Sequence, residues 1–304
     1  MPPRVLVLLA AFNGAAVIER QLRSILVQDN VTVGIVVADD ASADATVRVV
    51  ESLGDPRVAV VRRDTGTGSA AQNFVALIAQ HSASGYDYVA LSDQDDCWLP
   101  DKLHRACTSL LSSGAAGYAS GVMAVWPDDS RRAIRQSARR SRGDFLFEGA
   151  GQGCTYVLTA ALYERIRAHL QAHAGLARQL VYHDWAIYAL TRVWNLNWYF
   201  DPVPSLLYTQ HGGNDIGTRS SLHGARRRVA LLREGRYRRQ MEIVFELCRA
   251  TGASNAALLR WARLRAMQAG LSRRLKVAGF CLFWGRRRRL DALFMATVAL
   301  AGWI

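Results

Sequence analysis

A chain of 304 residues that is 50% hydrophobic and only 21% charged can bury a large core, which excludes a disordered or low-complexity protein. Five scattered cysteines (Cys97, Cys107, Cys154, Cys248 and Cys281) argue for a reducing compartment and against a disulfide framework or a structural zinc site. The net charge of +13 is lopsided: Arg219 to Ile304 holds 19 Lys/Arg against 4 Asp/Glu, so a nearly neutral body precedes a basic tail whose partner should be anionic.

In chain order, Arg4 to Ala11 is an unbroken apolar strand, too short for a signal peptide and soon followed by polar Asn13 and Gly14. No stretch reaches the roughly 20 apolar residues of a membrane span. Val17 to Gln28 reads as a helix with Ile18, Leu22, Ile25 and Leu26 on one face. Val33 to Ala38 is a second strand ending in Asp39 and Asp40, and Ser42 or Asp44 can cap the helix that follows. Arg57 to Arg62 is a third strand. Gly66-Thr67-Gly68 then reads either as a phosphate cradle or as a plain connector into the helix Ala70 to Gln80. The strand Tyr86 to Leu91 ends in Ser92-Asp93-Gln94-Asp95-Asp96-Cys97-Trp98. Alternating strands and helices predict an α/β fold with a mostly parallel central sheet that binds ligands at its carboxyl edge. Both acidic clusters, 39–40 and 93–96, fall on that edge. Like charges this dense form either a solvated turn or a seat for Mg²⁺ or Mn²⁺ and the phosphates they carry.

Further on, Gly149 to Thr155 is glycine-rich, which suits a close backbone approach or a tight turn. Asp184 opens an amphipathic helix with Trp185, Ile187, Tyr188 and Leu190, where an acid is also what ordinary capping gives. Pro204 to Tyr208 is strand-like and leads into Gln210-His211-Gly212-Gly213-Asn214. In the tail, Arg226 to Arg228, Arg273-Arg274 and Arg286 to Arg289 punctuate helical stripes carrying Trp284, Leu290, Leu293, Phe294 and Val298. That pattern fits helices lying on an anionic membrane surface, or a bundle packed on itself or on a second subunit. Nucleic-acid binding fits poorly, because the acidic edge would repel a polyanion.

These segments resemble the family 2 glycosyltransferases, inverting enzymes of GT-A fold that use nucleotide-activated sugars. The resemblance runs over Ala11-Phe12-Asn13-Gly14, Leu22 to Gln28, Asp39 to Thr46, Ser92 to Leu103, Gly153-Cys154-Thr155, His183-Asp184-Trp185 and Tyr208 to Asn214. The wording of Ser92 to Trp98 and Gln210 to Asn214 is similar to a bacterial branch that includes rhamnosyltransferases of surface-polysaccharide (O-antigen) assembly. Departures are Phe12 for the usual Tyr, Ala41 for a frequent Gly, and Thr209 for an arginine common before Gln-His-Gly.

The resemblance implies a catalytic domain over 1–218 and a basic helical region over 219–304. It implies dTDP-L-rhamnose as donor, or alternatively a UDP-hexose or UDP-N-acetylhexosamine, and a saccharide or lipid-linked glycan as acceptor. Donor-binding residues would be Ala11, Asn13, Asp40 (on the base), Asp93, Gln94, Asp95 and His211. Asp95, with His211 on the metal or phosphates, would hold Mg²⁺ or Mn²⁺; Asp96 would be a second acid or a helix cap, and Asp39 an orienting acid. Asp184 would be the catalytic base, with Asp144 and Glu148 next. Trp98, Gln152, His183 and Trp185 would lie on the acceptor side, with Trp98 or Trp185 stacking sugar. A decayed, non-catalytic relative is disfavoured, since every candidate acid is present. Such an enzyme is expected in the cytoplasm, peripheral at the inner face of the cell membrane, as a possible homodimer.

Overall fold

A computed structural model describes residues 1–136, 141–209, 235–302 and 304. The first half is β1 (Arg4–Ala11), α1 (Ile18–Leu26), β2 (Thr32–Asp39), α2 (Thr46–Ser52), β3 (Val58–Arg62), α3 (Ala70–Gln80) and β4 (Tyr88–Ser92). β1 lies between β2 and β4, parallel to both, and β3 continues parallel beyond β2. Successive side chains of β1 enter opposite layers: Leu6, Leu8 and Ala10 join one core, while Val5, Val7, Leu9 and Ala11 join the other. A strand covered on both faces needs apolar residues throughout, which explains the unbroken run. Ser69 caps α3 by accepting from the Gln72 N–H. At α2, Asp44 accepts the Thr46 N–H at 2.9 Å, while the Ser42 hydroxyl faces the turn after β1.

Beyond β4 come β5 (Cys97–Trp98), α4 (Lys102–Ser113), β6 (Gly117–Val125), β7 (Arg131–Ile134), β8 (Val157–Thr159), α5 (Ala160–Ala172), α6 (Ala174–Ala177), α7 (His183–Val193) and β9 (Trp198–Thr209). The sheet order is β3-β2-β1-β4-β8-β6-β9-β5, with β7 on β6. β6 and β9 are parallel, whereas β8, β7 and β5 pair antiparallel and make the sheet mixed. Those three are two to four residues long, too short to leave a periodicity in sequence. Register shifts around Gly121 let β9 carry Pro202 and Pro204 within a paired strand.

The basic region forms α8 (Arg236–Ala250), α9 (Ala256–Ala266), α10 (Leu271–Trp284) and α11 (Arg289–Leu300). Met241, Val244, Phe245, Trp261 and Phe280 share one core with Phe147, Trp185 and Tyr188. Trp261 meets Phe147 edge-on, with ring centroids 4.9 Å apart. The boundary expected at 218/219 lies outside the described residues. No helix among the described residues is long and apolar enough to cross a membrane.

The arginine run after α10 corrects an expectation. Arg288 and Arg289 are exposed, but Arg287 is only 4% exposed and Arg286 is half-buried. Gly285 makes the inward turn; a Cβ there would stand 2.8 Å from Cys281 Cα. Two guanidiniums are thereby delivered to buried carboxylates instead of to a surface.

Candidate active site

β1, β2 and β4 end side by side, with Ala11 paired to Asp39 and Leu9 to Ser92. The turn after β1 is tied to both neighbouring loops. Phe12 N–H donates to Gln94 Oε1 at 2.8 Å and Gln94 Nε2 donates to Phe12 O at 2.9 Å. Asn13 N–H donates to Ser42 Oγ, and Asn13 Oδ1 accepts from Ala43 N–H, both at 2.9 Å. Gln94 and the Asn13 carbonyl thus hold the loops together. Gly14 lacks a side chain for a reason, since a Cβ would fall 2.3 Å from Gln94 Oε1. Ala41 sits at φ 62, a left-handed conformation that explains why its family position favours glycine.

Asp40 is buried, with Oδ1 accepting from Thr67 N–H at 2.8 Å and Oδ2 from Thr67 Oγ1 at 2.9 Å. Arg63, whose Nε is 3.8 Å away, completes the pair. The Gly66-Thr67-Gly68 turn therefore cradles a carboxylate of its own chain. Asp39 accepts Ser42 N–H through Oδ2, while its buried Oδ1 has no hydrogen-bond partner.

The loop after β4 gathers carboxylates around one buried lysine. Burial, with the charges of Asp95 and Asp184 adding, pushes Asp93 up to about 7. Burial and then Asp93 and Asp95 push Asp96 well above the carboxylate range, and its Oδ2 has no hydrogen-bond partner. Asp96 is not a helix cap: α4 starts after Asp101, without a side-chain cap. Ligand atoms of Asp93, Asp96 and Cys154 lie within 4.8 Å of one another. Burial and the nearby Asp96 and Asp93 raise the Cys154 thiol, so it stays protonated beside those carboxylates. Beneath them Lys102 is fully buried, its ammonium 4.1 Å from the Trp98 ring centroid, and burial pushes it down to about 8. Asp95 O accepts from Thr209 Oγ1 at 2.9 Å and from Arg20 Nη2 at 3.2 Å. Arg20, unremarked in sequence because it lies on the outer face of α1, brings a cation to the spot where Thr209 replaces an arginine.

The facing wall is the start of α7. Asp184 lies in its first turn, and burial pushes it up to about 6 although Oδ1 accepts Trp185 N–H at 2.8 Å. Asp184 is among the charges that raise Asp93, so the two carboxylates share one cleft. Residues 149–155 do make a close backbone approach, but to α7: a Cβ on Gly153 would stand 3.1 Å from both Asp184 Cβ and His183 Nε2. Gln152 Oε1 accepts from Gln136 Nε2 at 2.6 Å. His183 stacks on Phe74 at 4.1 Å and burial lowers it to about 3, leaving a neutral imidazole whose Nε2 has no hydrogen-bond partner.

Four further residues are corrected by packing. Trp98 and Trp185 are 3% and 5% exposed, so neither ring offers a face to a sugar; the Trp185 indole donates to Phe145 O at 2.7 Å. Asp144 accepts from Tyr188 OH at 2.8 Å and Arg192 Nη1 at 3.0 Å, and Glu148 is held by Arg286 and Arg287. Burial would raise Glu148, but those guanidiniums outweigh it and hold the carboxyl low. Neither acid is free to act as an alternative base. His211 lies outside the described residues.

Comparison with known proteins agrees with this geometry. Residues 6–166 match the family described as Glycosyl transferase family 2. The dTDP-rhamnosyl transferase RfbG of Shigella flexneri is 33% identical over 236 residues, 77% of this chain and 82% of that protein. Residues 1–349 of TarS from S. aureus, solved with UDP, superpose with a TM-score of 0.58 at 15% identity, covering 98% of this chain and 87% of that one. The mannosyltransferase PcManGT of Pyrobaculum calidifontis, solved with GDP-Man and Mn²⁺, gives 0.52 at 15% identity, covering 99% and 87%. The shared fold is the GT-A arrangement of curled mixed sheet and flanking helices.

Proposed function

The chain belongs to glycosyl transferase family 2, and from that premise we propose that it transfers L-rhamnose, with inversion, from dTDP-L-rhamnose to a saccharide or lipid-linked glycan of a surface polysaccharide. The observation that carries the donor is the 33% identity with a dTDP-rhamnosyl transferase over most of both chains. Asp40, steadied by Thr67 and Arg63, keeps lone pairs for the imide N–H of thymine.

The acidic loop fits a hard divalent cation, because burial raises both Asp93 and Asp96, Asp95 adds to each, and Asp96 Oδ2 is buried without a hydrogen-bond partner. Asp95 with Asp93 would hold Mg²⁺ or Mn²⁺, and His211 is a further candidate ligand. Such an ion supplies charge neutralisation for the diphosphate leaving group. Arg20 adds a fixed cation beside Asp95.

Asp184 takes the acceptor proton. Burial brings its basicity toward neutrality while leaving it ionised at pH 7, and one base on the wall facing the donor is what single-step inversion needs. The Trp185 N–H holds that carboxylate at the mouth of α7, and Gly153 leaves room for it. The acceptor works at the cytoplasmic face of a membrane in this reading.

Thermal shift with Mn²⁺ and single nucleotides tests the donor. Stabilisation by dTDP and dTDP-L-rhamnose is expected; stabilisation by UDP-sugars with none by dTDP would replace rhamnose with a UDP-hexose.

A further inference from the structure

α10 and α11 form an antiparallel hairpin: Arg274 Nη1, near the start of one, donates to Leu300 O, at the end of the other, at 3.4 Å. Its inner side is buried through Val277, Phe280, Cys281, Met295 and Val298. The outer side is apolar as well. At about 100° per residue, Leu271, Leu282, Leu275 and Phe283 fall in one arc of α10, with Arg274 and Lys276 at its two edges. On α11, Leu300, Leu293, Leu290 and Phe294 share an arc that begins at Arg289. All eight apolar residues are exposed, Phe283 by 76% and Leu290 by 82%. Single exposed leucines are ordinary, but eight on two packed helices form a patch that mere folding does not require.

Beside this patch lies a cavity of about 260 Å³ lined by Ser141, Arg142, Phe283, Trp284, Arg286 and Arg289 among others. Arg142 lies over the Trp284 ring at 5.4 Å, and Arg289 is exposed in the first turn of α11, whose start has no side-chain cap. Arg286 is partly answered by Glu148 at 3.2 Å, and its Nε has no hydrogen-bond partner. Arg142 and Arg289 beside an uncapped helix start, with Arg286 behind them shared with Glu148, favour a phosphate even with Asp291 in the same turn.

We propose that this face docks on a lipid bilayer, the outer arcs of α10 and α11 entering the acyl boundary and a lipid phosphate seating in the arginine cavity. Charge chooses the bilayer over a second copy of the chain. On this hairpin Arg274, Lys276, Arg288 and Arg289 are exposed against the single acid Asp291, so a self-paired hairpin would bring like charges together, whereas anionic headgroups complement them. The cations that serve the surface are Arg142, Arg274, Lys276, Arg288 and Arg289, with Arg287 withdrawn into the core. The proposal rests on the reading of a membrane-borne acceptor, and its test is separate because vesicle binding requires neither donor nor transfer.

The experiment is co-sedimentation of the full chain with vesicles of phosphatidylcholine alone, or mixed with phosphatidylglycerol or with a polyprenyl phosphate. Binding is expected to both mixed vesicles at low salt and only partial release at high salt. Arg142→Glu with Arg289→Glu should weaken binding about 10-fold or more. Phe283→Asp with Leu290→Asp should weaken it too, while the nucleotide-induced thermal shift persists in both variants and shows them folded. Equal binding to phosphatidylcholine alone, or binding indifferent to the charge reversals, overturns the proposal. So does pyrophosphate binding without vesicle binding, or a dimer by light scattering that Phe283→Asp abolishes while vesicle binding is unchanged. Vesicle binding as expected in a protein that no nucleotide stabilises would count against the transferase reading and leave this surface standing.

Discussion

Arg287 holds Glu148 with two donors: its backbone N–H reaches Oε1 at 2.7 Å and its Nε reaches the same oxygen at 3.2 Å. Its Nη2 donates to Gly149 O, and Asp144 lies 3.8 Å from Nε. The chain between α10 and α11 is thereby fastened to the segment that leads into Gly153 and Asp184. Arg287→Ala should cost roughly 2–3 kcal/mol, because it leaves Glu148 to Arg286 alone and removes a buried partner of Asp144. Arg288→Ala, one residue on and exposed, should cost under about 0.5 kcal/mol. Urea unfolding of the two variants checks this; equal costs would mean that the buried pairing contributes nothing.

Asp184→Asn should lower turnover about 10²-fold or more, in the range for losing a general base, with nucleotide affinity little changed. Steady-state transfer beside calorimetric nucleotide titration makes the comparison. Asp144 and Glu148 are both neutralised by arginines, so neither is ready to stand in.

The pH dependence follows from the same residue. A base with its pKa raised to about 6 is active only when ionised, so kcat should climb with pH up to about 6 and then level off. For stability the sign is reversed. A carboxyl whose folded pKa lies above its unfolded value contributes most below the unfolded pKa, and that contribution is lost as pH rises through about 6. Asp184→Asn should therefore melt higher than the parent at neutral pH and no higher at pH 4. A lower melting temperature at pH 7 would remove the desolvation argument.

Asp95→Ala should nearly abolish transfer and shrink the rise in melting temperature that Mn²⁺ gives the metal-stripped parent. Differential scanning fluorimetry with and without a chelator reads the second effect independently of activity. If Mn²⁺ stabilised the variant as well as the parent, Asp93 and Asp96 would be the ion's principal ligands.

Much of this was legible in sequence where one interaction dominates a position. β1 was plain because both of its faces are buried and its apolar run is unbroken. The two acidic clusters could be placed on one edge because parallel strands end together. Reading failed where an atom's partner is distant along the chain. Nothing in the order of residues says that Gln94 turns back to Phe12, that Arg20 reaches Asp95, or that Lys102 is buried under Trp98. Arg286 to Arg289 misled for a related reason: four identical side chains look alike, yet a tight turn at Gly285 sends two inward and leaves two outside. The tryptophans misled because a ring that fills a core and a ring that binds sugar have the same composition.

The pairing of Gln94 with Phe12 has a mechanical corollary. A side-chain amide that both donates to and accepts from one residue's main chain behaves like an added rung of the ladder, continuing β1 sideways past the end of β4. The turn after β1 and the acid-bearing loop are then tied as one unit, with Gly14 as the gap that lets the rung fit. A methyl group at Gly14 would push against Gln94 and should loosen that tie.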